Sequence, residues 1–427
     1  MGGARRTLID GPLDGMPETA PQRDPWRRLF TLVLLGALAL VAGRSFLAVA
    51  DRSDYQVHSD DLTWMWRFVE KPRAALPSQP TDYRAVSYLP GQGQAPQSDL
   101  DYIWGLDQPA LERWVFHGLL HISGRFPETL PEKNWDYTHD LRWNVENGNV
   151  GPPDAVHFVR VVNAAFMILA VVLIFAALAR AVSPLAGLIA GLYFVLHPSV
   201  TVTMWSIGPD PLLWLLMAAG LALWVWQGAT WRGAVLVGVV GGLAASAKLN
   251  GALVIVGFCL WLVLKRRPLL ALLAGVLALA VFVVVNPILF SRGVTGLPGM
   301  LWEMARWRSV RTGMMMQGYP AFAAAPRWYI PFYLLGAWWA LVPLLVVSQR
   351  LWRFEPAVFW AATLAIGHLA LVTVPEPRYT LLIEAVLVTG LIAGYWPKRL
   401  EIPAAWRRRG APAAQSERTE ADARKSV

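Results

Sequence analysis

Residues 268–290 read PLLALLAGVLALAVFVVVNPILF, without one charged side chain. A run of this length and polarity can satisfy its backbone only within itself, as a helix, and it is long enough to cross the roughly 30 Å hydrocarbon layer of a bilayer. Comparable stretches fall at about 29–50, 156–179, 184–200, 210–227, 233–247, 250–264, 328–348, 356–374 and 379–397. Only 16% of the 427 residues are charged, against about 25% in ordinary soluble domains. The sequence therefore predicts an all-α polytopic membrane protein of about ten transmembrane helices.

Charge sets the orientation. With the N-terminus cytoplasmic, as Arg5, Arg6, Arg23, Arg27 and Arg28 favour, ten spans put Arg180, Arg232, Lys265-Arg266-Arg267, Arg350 and Arg353 on the same side. The tail with Lys398, Arg399 and Arg407-Arg408-Arg409 falls there too. The opposite orientation would violate the positive-inside rule at every short basic loop. The formal net charge of +9 then reflects cytoplasmic loops rather than a nucleic-acid partner. Cys259 is the single cysteine, which excludes an intramolecular disulfide and a cysteine-based zinc cluster. The chain divides into a cytoplasmic segment 1–28, a transmembrane region 29–397, and a basic tail 398–427 that reads as disordered. Ala48-Val49-Ala50 resembles a signal-peptidase site, but the preceding apolar run exceeds a usual signal core and reads as a retained span. Lys248-Leu249-Asn250 reads as a tight turn between spans 233–247 and 250–264.

This orientation leaves a large extracytoplasmic loop, 51–155, and gathers most unusual polar residues on the outer face. Loops of that length in compact proteins are usually functional. Ser59 can cap a helix whose first turn carries Asp60 and Asp61. A second helix follows in DQPALERWVFHGLLHIS, opened by Asp107 with Pro109 near its start. Its apolar stripe is Leu111, Trp114, Val115, Gly118 and Leu119, the pattern of a helix lying in the membrane interface. His117 and His121 have metal-compatible spacing but no clear third ligand. One acid would suffice to start a helix, whereas two adjacent acids repel each other, and acids at the mouth of a membrane bundle commonly mark a polar cavity.

The order of these features resembles the polyprenyl-phosphate-sugar-dependent membrane glycosyltransferases of the GT-C superfamily, with protein O-mannosyltransferases and lipid A aminoarabinose transferases as the nearer relatives. Such proteins have a first span and then an outer loop opening with an acidic pair, here Asp60-Asp61. A proline-containing stretch like HPPLYYW follows, here LDQPALERW with one proline instead of two. Arg160 opens the next span in HFVRVVNAAFMILAVV, and Asp210 leads a helix after HPSVTVTMWSIGP. Lys248 lies in GLAASAKLNGAL, and Arg378-Tyr379 stand in PRYTLLIEAVLVTG.

The resemblance implies transfer of a sugar from a polyprenyl-phosphate donor to an acceptor hydroxyl of a glycan, lipid or protein at the extracytoplasmic face, generally with inversion. It implies Asp60 as catalytic base, with Asp61 orienting it or holding a sugar hydroxyl. It puts Asp107, Arg160, Asp210, Lys248, Arg378 and Tyr379 in the substrate site, with Lys248 and Arg378 on the donor phosphate. A divalent cation, Mg or Mn, would bind at Asp60-Asp61 if the reaction uses one. No Gly-rich phosphate loop is present, and a lipid-linked donor needs none. The alternative classes are a transporter or flippase, which would favour internal repeats, and a non-catalytic scaffold whose outer loop binds a partner.

Overall fold

The computed structural model describes residues 25–51, 65, 109–127, 139, 141–290 and 293–304. Two compact units divide the chain, Met1–Leu34 with Pro397–Val427, and Leu35–Trp396. The described elements are α1 (Pro25–Asp51), α2 (Leu111–Ile122), α3 (Leu141–Glu146), α4 (Pro153–Ala181), α5 (Pro184–Leu196) and α6 (Pro198–Trp205). They continue with α7 (Asp210–Gln227), α8 (Trp231–Ala247), α9 (Ala252–Leu264) and α10 (Pro268–Val285), and no strand occurs among the described residues. All of α2 to α10 lie in the second unit.

Local chemistry sets the helix ends. Proline opens α4, α5 and α10, where its missing N–H costs nothing and its fixed φ suits the first turn. Ser183 and Thr230 cap α5 and α8 by accepting from the N–H groups of Ala186 and Gly233 at 3.2 and 3.0 Å. Between α7 and α8 the chain reverses at Gly228, whose φ of 58° glycine adopts without a steric penalty.

Among the described residues four helices are long and apolar enough to cross a membrane: Arg28–Asp51, Pro153–Ala181, Asp210–Gln227 and Pro268–Val285. Shorter apolar helices occupy Pro184–Leu196, Trp231–Ala247 and Leu249–Leu264. Each expected span from 29–50 through 268–290 thus coincides with a helix; the expected spans 328–348, 356–374 and 379–397 lie outside the described residues. Two boundaries move inward. The run 184–200 breaks at His197, whose ψ of 127° is the extended backbone that a following proline, Pro198, imposes. The run 268–290 leaves the α-helix at Asn286, again just before a proline.

Contacts between helices give their directions. Asp210 at the start of α7 meets Lys248 at the end of α8, so these two are antiparallel. Gly241 lies against Ile255, and Gly251 against Ala244, which folds α8 and α9 into a hairpin around Lys248. The helix does break there, with Lys248 extended at φ −157° and a single 3-10 turn at Leu249–Gly251. Helices α8 and α10 run parallel: a Cβ on Gly238 would come within 2.8 Å of the Ala274 carbonyl oxygen, and one on Gly242 within 2.5 Å of that of Ala278. Small residues at this spacing let two membrane helices touch backbone to backbone. Gly187 faces Phe175 and Ala179, making α4 and α5 antiparallel. One end of the bundle therefore holds the starts of α4, α7 and α9 with the ends of α5, α8 and α10.

Helix α2 docks at that same end. Phe116 and Leu120 join Met65, Ala155, Val156, Val159 and Ile207 in one buried apolar cluster. The sequence stripe Leu111, Trp114, Val115, Gly118 and Leu119 is not the buried one: Glu112, Phe116, His117 and Leu120 face the protein, while Trp114 is exposed. Both faces of α2 are apolar, and hydrophobicity alone does not tell the protein side from the lipid side.

Candidate functional site

The two ends of the bundle carry different chemistry. One holds Arg180, Arg232 and Lys265-Arg266-Arg267 in short connections, and all except the half-buried Lys265 are exposed. The other holds two cations withdrawn from solvent: Lys248 is 8% exposed and Arg160 0%. Charge hidden at a helix end in a membrane bundle is expensive and points to a function by default.

Lys248 caps α8, and its Nζ donates to Asp210 Oδ1 at 2.7 Å. Asp210 is the first residue of α7, with Pro209 before it and Pro211 after it. Its carboxylate reaches across to the lysine, and the pair is nearly closed to solvent, at 10% and 13% side-chain exposure.

Arg160 is on α4 between Val159 and Asn163, both also buried. Asn163 Nδ2 donates to the Ser206 carbonyl oxygen at 2.9 Å, which ties α4 to the connection that leads into Asp210. Arg160 and the Lys248–Asp210 pair thus share one end of the bundle. Buried polar atoms without a hydrogen bond among the described residues also gather there: Asn163 Oδ1, Trp205 Nε1 and Asn250 Oδ1. Such atoms are uncommon in proteins and mark places where a ligand or water completes the structure.

Two polar residues not singled out by the sequence reading belong to this end. Glu112 on α2 is fully buried, inside the stretch LDQPALERW. Asn286 is fully buried just beyond α10. Its Oδ1 accepts from the Ala110 N–H at 2.7 Å, and its Nδ2 donates to Ser246 Oγ at 3.1 Å and to the Phe282 carbonyl oxygen at 2.6 Å. Trp114 Nε1 adds a bond to the Val285 carbonyl oxygen at 3.0 Å. The sequence signal for Asn286 is an amide between an apolar run and a proline; for Glu112 it is a carboxylate on an otherwise apolar helix face.

Asp60, Asp61, Asp107, Arg378 and Tyr379 lie outside the described residues. His117 and His121 have rings 4.7 Å apart and pack against Phe126, with centroid separations of 5.0 and 3.8 Å. Among the described residues no group of three or more His, Cys, Asp or Glu forms.

No curated protein matches the chain. A family model does, and its match covers Arg160, Asp210, Lys248 and Asn286 but none of the residues before α2 ends. Residues 123–295, less than half of the chain, match the family described as dolichyl-phosphate-mannose-protein mannosyltransferase, a GT-C glycosyltransferase domain.

Proposed function

We propose that the protein transfers a sugar from a polyprenyl-phosphate donor to an acceptor hydroxyl at the extracytoplasmic face of the cell membrane, with both chain termini cytoplasmic. The observation that carries this reading is the buried Lys248–Asp210 pair inside the matched segment, at the bundle end opposite the exposed basic turns. Basic turns favour the cytoplasmic side, which leaves the buried cations outside.

The chemistry requires three groups. A carboxylate takes the proton of the attacking hydroxyl; Asp60 has that role, with Asp61 orienting it. The hydroxyl oxygen bonds to the anomeric carbon as the bond from that carbon to the phosphate oxygen breaks, with inversion. The carbon passes through an oxocarbenium-like transition state. The electron pair of the broken bond stays on the polyprenyl phosphate, whose growing charge Lys248, Arg160 and Arg378 stabilise. Asp210 holds the Lys248 ammonium in place, and Asp107 and Tyr379 contact the sugar or acceptor.

Two features support convergence of the acidic pair on this end. Met65 is fully buried in the cluster that includes Phe116, Val156 and Ile207. Asp61 is four residues before it, a span of at most about 14 Å of extended chain. The family name supplies mannose and a protein as the first sugar and acceptor to try.

The test supplies membranes containing the chain with radiolabelled polyprenyl-phosphate mannose and follows label from the organic-soluble lipid into other products. The unaltered chain is expected to move label, and Asp60→Asn to reduce transfer at least about a hundredfold, the scale of general-base catalysis. Wild-type-like transfer by Asp60→Asn would remove Asp60 as the base, and no transfer of any lipid-phosphate sugar by the unaltered chain would sink the reading.

A further inference from the structure

Asn286 links segments that are far apart in sequence. Its partners Ser246 and Ala110 are 40 and 176 residues away. Ser246 lies two residues before Lys248, in the last turn of α8, and Ala110 is the residue from which α2 starts. Asp107 and Pro109 closely precede Ala110. One buried amide therefore ties the start of α2 to the hairpin that carries Lys248.

Ending α10 does not call for this arrangement. The bond to the Phe282 carbonyl oxygen caps the last turn locally, and Asn286 itself sits at φ −107°, outside the left-handed region that usual helix-ending asparagines and glycines adopt. The other two bonds do no capping of α10. They hold α8 and α2 at a fixed offset from each other. Ala110 joins through its backbone N–H, a donor that a proline at this position would lack.

We propose that Asn286 is a positioning residue for sugar transfer, fixing the start of α2 at Ala110 against the Lys248–Asp210 pair. The proposal rests on the glycosyltransferase reading above. Lys248, Arg160 and Arg378 hold the donor phosphate, while the outer loop brings groups to the sugar and acceptor. Transfer needs both sets within a fraction of an ångström of reacting geometry. None of the three phosphate-binding residues belongs to the outer-loop segment that Asn286 holds. Loosening the clamp therefore lowers the rate of the chemical step more than the affinity for donor.

The experiment uses the full chain in membranes, with radiolabelled polyprenyl-phosphate mannose, and rates per folded molecule measured after detergent extraction and size-exclusion chromatography. Asn286→Ala is expected to lower kcat about tenfold or more with donor KM changed less than about threefold. Ala110→Pro removes the donor N–H and is expected to give a similar loss. Because both break one link, the double variant should be little worse than either single one. Hydrogen exchange read by mass spectrometry should be faster in the peptide containing Ala110 and Glu112 in both variants. Should Asn286→Ala fail to fold, Ser246→Ala cuts only the α8 arm and is read for the same kcat loss at steady KM. A kcat within twofold of the unaltered chain, losses that multiply in the double variant, or unchanged exchange would each overturn the proposal. Absence of transfer by the unaltered chain overturns the glycosyltransferase reading itself, and faster exchange in the variants would then show a clamp without a catalytic role.

Discussion

Lys248 and Asp210 illustrate how two residues can be bound to each other in stability and separable in function. Each is nearly closed to solvent and each neutralises the other. Removing one partner leaves an uncompensated charge in a poorly solvated place, a loss of about 3–5 kcal/mol for buried pairs. Lys248→Met and Asp210→Leu should therefore each lower the unfolding temperature in detergent. The double variant should recover most of that loss, since replacing a buried pair with apolar side chains is often neutral. If Lys248 serves the donor phosphate, the same double variant should stay inactive in the label-transfer assay although it folds. Recovery of transfer along with stability would assign the pair a structural role and leave the phosphate to Arg160 and Arg378.

At the scale of elements, the helices are legible in the sequence because membrane crossing demands long apolar runs, and prolines punctuate them. Lys248 is legible as a charge that interrupts such a run. What composition does not reveal is partner choice. That Asp210 meets Lys248 depends on α7 and α8 lying antiparallel, which no local pattern encodes. The buried side of α2 escapes the sequence for a related reason: Phe116 and Leu120 face the protein while Trp114 stays exposed, and both faces are greasy. The acidic pair, central to the sequence reading, lies outside the described residues. The α8–α10 contact offers a test of an element alone. Gly242 abuts the Ala278 backbone, and a side chain there must push the helices apart. Gly242→Leu is expected to destabilise by about 1–3 kcal/mol or more, seen as a lower unfolding temperature. Gly118→Leu, with nothing among the described residues within 4 Å of its Cβ position, should shift that temperature little.

For the whole molecule, the asymmetry of charge is also a claim about sidedness. Arg180, Arg232, Arg266 and Arg267 are exposed at one end of the bundle, and Trp231 beside Arg232 sits in the pattern of an interfacial anchor, with the guanidinium 5.6 Å from the ring centre. The buried cations and the docked α2 occupy the other end. A lipid-phosphate sugar used outside the cell must meet Lys248 from the outer leaflet, so the topology and the function stand or fall together. Cys259 makes the measurement direct, because it is the chain's single cysteine and can be replaced by Ala to give a thiol-free background. Its thiol donates from α9 to the Ala271 carbonyl oxygen on α10 at 3.3 Å, a weak bond, so this exchange should be tolerated with a modest loss of stability. Single cysteines then go to exposed positions at each end: Ile122 and Asp154 at the α2 end, Arg232 and Arg267 at the basic end. A membrane-impermeant maleimide should label the first two in intact cells and the last two only in inverted vesicles. The reverse pattern would put the Lys248–Asp210 pair on the cytoplasmic side, where an extracytoplasmic transfer reaction cannot reach it.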